Sequence, residues 1–137
     1  MKLLQVLSIL ARIGKNKSEI KEYIQKELKY NFSKTCDKIR PHYVFDSTCQ
    51  GTCPPPPVIT AFFEGENFEE VIRNAVPLDS DIDTLIAISA NIAEAFFGIP
   101  YFFKAKVLEL TNDDIHAVMK EFDKFTISRC FEGNILV

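Results

Sequence analysis

A chain of 137 residues, 47% of them hydrophobic, has the length for one domain and the apolar content for a real core, which excludes wholesale disorder. The formal net charge is −3 and both signs are spread along the chain, so no basic footprint points to nucleic acid as a partner. No run of 18 apolar residues occurs, so no membrane span is expected.

The opening "MKLLQVLSILARIGK" combines a lysine with an apolar run, the outline of a signal peptide. Gln5 and Ser8 interrupt that run, and Leu3, Leu4, Leu7 and Leu10 fall at helical spacing. The reading is an internal helix from about Lys2 to Ile13, stopped by Gly14. Asn16 and Glu19 in "NKSE" have capping-box spacing and start a second helix, to about Leu28, with Ile20, Tyr23, Ile24 and Leu28 as its apolar stripe. "SKTCDKIRP" is read as a short helical turn closed by Pro41.

Residues 42 to 57, "HYVFDSTCQGTCPPPP", form the longest irregular stretch, where four prolines favour an extended polyproline conformation. It reads either as a solvent-exposed linker or as a loop carrying Ser47, Thr48, Gln50 and Thr52 into a site. After "VITAFFEG" comes "NFEEVIRNA", a helix capped by Asn67 with Glu70 three residues on. "TLIAISANIAEAFFG" reads as one long helix ended by Gly98 and Pro100. Its small residues Ala87, Ser89, Ala90, Ala93 and Ala95 cover much of the circumference and predict a central helix approached closely on several sides. A last amphipathic helix starts at a Thr111 cap and carries Ile115, Val118, Met119 and Phe122 inward. The tail from Ser128 to Val137 has no clear period. With no convincing strand pair, the fold class is all-α, a compact helical bundle in a single domain, 1–137.

Four cysteines, Cys36, Cys49, Cys53 and Cys130, include no CxxC pair, and His42 and His116 lie far from them in sequence. A zinc site is not expected. Reduced thiols and a cytoplasmic location are.

The stretch "AVPLDSDIDTLIAIS" places Asp79, Asp81 and Asp83 at alternate positions before an apolar helix. One aspartate suffices as a cap, and three repel one another, so capping alone does not explain them. Oxygen-rich side chains suit magnesium or calcium. In an extended turn, residues two apart share a side, so Asp81 and Asp83 could both face a cation with Thr84 as a third oxygen donor. The string lacks the glycine and distal glutamate of an EF-hand loop.

Taken together, "NFEEVIRNAVPLDSDIDTLIAISANIAEAFFGIP" resembles the C-terminal signature of the ADP-ribosylglycohydrolase family, and "FDSTCQGTCP" resembles a loop that precedes it in bacterial-type members. "LARIGKNKSEIKEYIQKELKYNFSKTCDKIRP" matches the helical region before that loop. The resemblance runs to about Pro100 and, more weakly, through the last helix. It implies an all-α fold whose cleft holds two magnesium ions and whose members are hydrolases that release ADP-ribose from modified targets. Asp81, Asp83 and Thr84 match the metal-binding signature, and Ser47, Cys49, Gln50, Gly51 and Thr52 fall in the loop assigned to an ADP-ribose-type ligand.

Departures from the family pattern shape what the resemblance implies. Asp79-Ser80 stands where the family has Gly-Gly, and Ile82 where it has Ser, Thr or Asn. "CPPPP" replaces a stretch that starts a helix, and neither the family's Thr-Asp-Asp motif nor its Gly-Asp segment is in the sequence. The expectation is therefore a truncated, ADP-ribosylglycohydrolase-like chain, binding magnesium weakly through an incomplete cage and weak or inactive alone. The alternative is a non-catalytic helical binding or oligomerising remnant. Either way the apolar helices call for cover, by a second copy or by another chain.

Overall fold

The computed structural model describes residues 2–42, 56–78 and 82–131. Among them all regular structure is helical and no strand occurs. In chain order the helices are α1 (Lys2–Arg12), α2 (Lys17–Glu27), α3 (Cys36–Ile39), α4 (Pro56–Glu64), α5 (Phe68–Ala75), α6 (Ile82–Phe97), α7 (Tyr101–Leu110) and α8 (Asp113–Phe131). The chain divides into two compact units, Met1–Ile99 and Pro100–Val137. No described helix is long and apolar enough to cross a membrane.

Local chemistry starts and stops the helices of the first unit. Gly14, at φ +82°, takes the left-handed conformation that ends α1, and Gly98, at φ +72°, does the same for α6, its N–H bonding Glu94 O at 2.9 Å. At α2 the capping box is complete: Glu19 N–H donates to Asn16 Oδ1 at 3.0 Å, and Asn16 N–H donates to Glu19 Oε2 at 2.9 Å. Asn67 caps α5 by accepting from Glu70 N–H at 3.0 Å. Helix α4 starts at Pro56, so the last two prolines of the run initiate a helix instead of extending the chain. A proline in the first turn has its φ preset and gives up only an N–H that would be orphaned anyway.

The core of the first unit is built on α6, which packs against α1, α4 and α5. Leu85, Ser89, Ile92 and Ala93 form its buried stripe, at steps of four, three and one. Facing them are Leu3 and Leu7 of α1, Val58, Ile59, Ala61 and Phe62 of α4, and Phe68, Val71 and Ala75 of α5, all buried. Fully burying a side chain of this size contributes about 1.5–3 kcal/mol. The small residues do not bury α6 on every side. Asp83, Thr84, Ala87, Asn91 and Glu94 leave an exposed stripe, because the last two are polar and one apolar face is enough for the three partners. Ser89, inside the core, donates its hydroxyl to Leu85 O at 2.8 Å, so no water is needed to satisfy it. Helix α5 is brought in close by Gly65, where a Cβ would meet Val71 N and Cγ2 at 2.7 Å.

The second unit departs from its sequence reading. Residues 101 to 110 form the extra helix α7, none of whose residues is buried. Helix α8 is capped by Asn112, whose Oδ1 accepts from Ile115 N–H at 3.0 Å. Thr111, the expected cap, turns back instead and donates its hydroxyl to Val107 O at 2.7 Å, closing α7. Ile115, Val118 and Phe122 point to solvent, at 46%, 70% and 68% exposure, instead of inward. Helix α8 continues to Phe131 through the first part of the aperiodic tail.

Candidate cation site at the start of α6

Of the acidic stretch, Asp83 and Thr84 are described, and Asp81 lies outside the described residues. Asp83 sits in the first turn of α6, and both it and Thr84 are exposed. The helix begins one residue earlier, at Ile82, so the extended geometry that would align alternate residues has ended by Asp83. Consecutive helical side chains are turned apart by about 100°, so the Asp83 carboxylate and the Thr84 hydroxyl diverge. What the turn supplies is a carboxylate near the positive end of a helix in which Leu85, two residues on, is fully buried. The anchor is buried and the donor is accessible.

Oxygen donors of this kind suit a hard cation. Among the described residues, however, no group of three or more His, Cys, Asp or Glu side chains could hold a metal ion. The described donors do not fit a complete two-metal cage, and no chemical step can be derived through one. The loop residues Ser47, Cys49, Gln50, Gly51 and Thr52 lie outside the described residues. Next to its end, at Pro57, a groove of about 260 Å³ is lined by Asn31, Ser33, Lys34, Ile39, Pro57 and Thr60, with Lys34 as the charged member and no carboxylate.

Two groups that sequence reading did not single out carry the strongest local chemistry. Lys17 Nζ donates to Phe62 O at 2.7 Å, to Gly65 O, and to Phe63 O at 3.4 Å. Burial pushes its pKa below the usual lysine value, while Glu66 and Glu70 pull it up. A lysine in the first turn of its own helix opposes the macrodipole, and that misplacement was the available signal. Cys36 is a buried free thiol, pushed up to about 12 by burial and by the neighbouring Glu64 carboxylate. Its own N–H bonds both oxygens of that carboxylate, at 3.2 and 3.3 Å.

No family model, curated protein or solved structure matches this chain.

Proposed function

We propose that the chain is an ADP-ribosylglycohydrolase-like helical protein in which the start of α6 binds a divalent cation such as magnesium weakly. Asp83 and Asp81 serve as the carboxylates, with Thr84 adjacent. The observation that supports this reading is the position of Asp83, exposed on the first turn of a helix whose body is held by Leu85, Ser89, Ile92 and Ala93. Together with the D-x-D-T string it pairs an accessible carboxylate with a helix anchored in the core. Isothermal titration with magnesium tests it. Binding should be weak and should vanish in Asp83→Ala and in Asp81→Ala; equal heats in all three proteins would rule the site out.

Turnover by this chain alone is not expected, because two-metal hydrolysis needs both ions held and the Thr-Asp-Asp motif is not in the sequence. Purified protein incubated with magnesium and a panel of ADP-ribosylated proteins should release no free ADP-ribose. Release that disappears in Asp83→Ala would restore an active hydrolase.

A second reading, a helical binding or oligomerising module, is favoured by the apolar surface of the second unit. Tyr101, Phe102, Leu110, Val118 and Phe122 are each more than half exposed. Large apolar side chains left exposed in such number are what an association surface would use. Light scattering coupled to size exclusion should give a mass above the monomer at tens of micromolar. A clean monomer mass would discard this reading.

A further inference from the structure

Helix α4 ends with carbonyls that its own backbone cannot satisfy. Gly65 N–H takes Ala61 O at 3.0 Å, which leaves the carbonyls of Phe62, Phe63 and Gly65 directed out of the helix end. Lys17, on the first turn of α2, brings its ammonium to all three. An ammonium has three donors, and the helix end offers three acceptors with the negative pole of its dipole behind them.

The same ammonium is flanked by aromatic faces. Its nitrogen lies 5.0 Å from the Phe62 ring centre, 5.0 Å from Phe97 and 5.9 Å from Phe96, within cation–π range of all three. Those rings pack edge to face on one another, Phe96 on Phe97 at 4.8 Å and Phe62 on Phe96 at 5.4 Å, so the cage holds its shape. One turn along α2, Lys21 lies over Phe63 at 5.8 Å. Besides these cations, α2 contributes two buried side chains, Ile20 and Ile24.

We propose that Lys17 is a charge-dependent latch, an ammonium seated in a built alkylammonium cage that holds α2 on the ends of α4 and α6, so that removing its charge frees α2 while the α1–α4–α5–α6 core stays folded. The geometry matches the occupant in charge, donor number and aromatic surroundings, and an apolar side chain of the same length would leave the three carbonyls without their donor.

Amide hydrogen exchange on the full chain tests this, reading α2 at Ile20 to Leu28 against Val71 of α5 and Ile92 of α6. Lys17→Met should speed exchange in α2 by about tenfold while the α5 and α6 amides keep their wild-type rates. Lys17→Arg, which keeps the charge, should restore most of the protection. In Lys17→Ala, n-propylammonium replaces the missing part of the side chain and should slow α2 exchange again, whereas propan-1-ol should not. Unchanged exchange in Lys17→Met would overturn the proposal. So would uniform acceleration through α5 and α6, or equal rescue by the alcohol.

Discussion

The two units of this chain are made of similar residues and end in opposite states. In Met1–Ile99, the buried stripe of helix α6 packs against α1, α4 and α5, and Leu85, Ile92 and Phe62 are fully enclosed. In Pro100–Val137, helix α7 buries nothing, although it carries two phenylalanines, a tyrosine, a valine and two leucines. The phenylalanines lie against each other at a tilt, Phe102 on Phe103 with centres 4.1 Å apart and planes 34° apart. What separates the units is the number of helices that meet. Apolar composition earns stability only where elements converge, and three partners around α6 supply that convergence.

The largest expected effects sharpen this difference. Ile92→Ala should lower unfolding stability by about 2–5 kcal/mol, as a cavity at a fully buried site does. Leu110→Ala, at a position 73% exposed, should change it by no more than about 0.5 kcal/mol. Urea unfolding followed by circular dichroism compares them, and equal losses would mean that Leu110 is covered in solution. Next in size, Gly65→Ala should cost about 1–3 kcal/mol, because the new Cβ would press on the Val71 backbone rather than on a movable chain end. A neutral Gly65→Ala would show that α5 can shift away from α4.

The caps make a smaller, paired test. Asn67→Ala should cost the first unit about 1 kcal/mol, while Asn112→Ala, on a helix with no described buried residue, should leave the main unfolding transition in place and show only as lost helical signal. A shift of the main transition by Asn112→Ala would break the comparison by tying α8 to the core.

The smallest effect is a pH dependence confined to the first unit. The folded Cys36 thiol, near 12, sits above its ordinary value of 9.0 because burial disfavours the thiolate. The stability from keeping it protonated is complete below about pH 9 and is lost as pH rises toward 12. Denaturation midpoints at pH 7 and pH 10 should therefore diverge more in wild type than in Cys36→Ala. Parallel slopes in the two proteins would show that the thiol is not enclosed.

Much of the first unit was legible from local chemistry alone. Asn16 with Glu19, Asn67 with Glu70, and the glycines at 14 and 98 name their helix ends because a cap is satisfied by residues within one turn. The all-α class follows from 3.6-residue periodicity in the same way. Asp83 at the mouth of α6 was equally visible, although the reading of an extended turn there depended on where the helix begins, at Ile82 and not at Thr84.

Other features needed the fold. Composition placed α6 at the centre, but which of its faces stays wet depends on how many helices reach it, and that is a property of the whole packing. Ile115, Val118 and Phe122 have a core-like spacing, yet a stripe becomes core only when another surface meets it. The prolines at 56 and 57 start a helix because α4 has partners waiting in α5 and α6. Lys17 shows the limit most plainly. By sequence it is a cation at the wrong end of its helix. Its three carbonyl acceptors lie 45 to 48 residues away, and only the tertiary structure brings the right end of another helix to meet it.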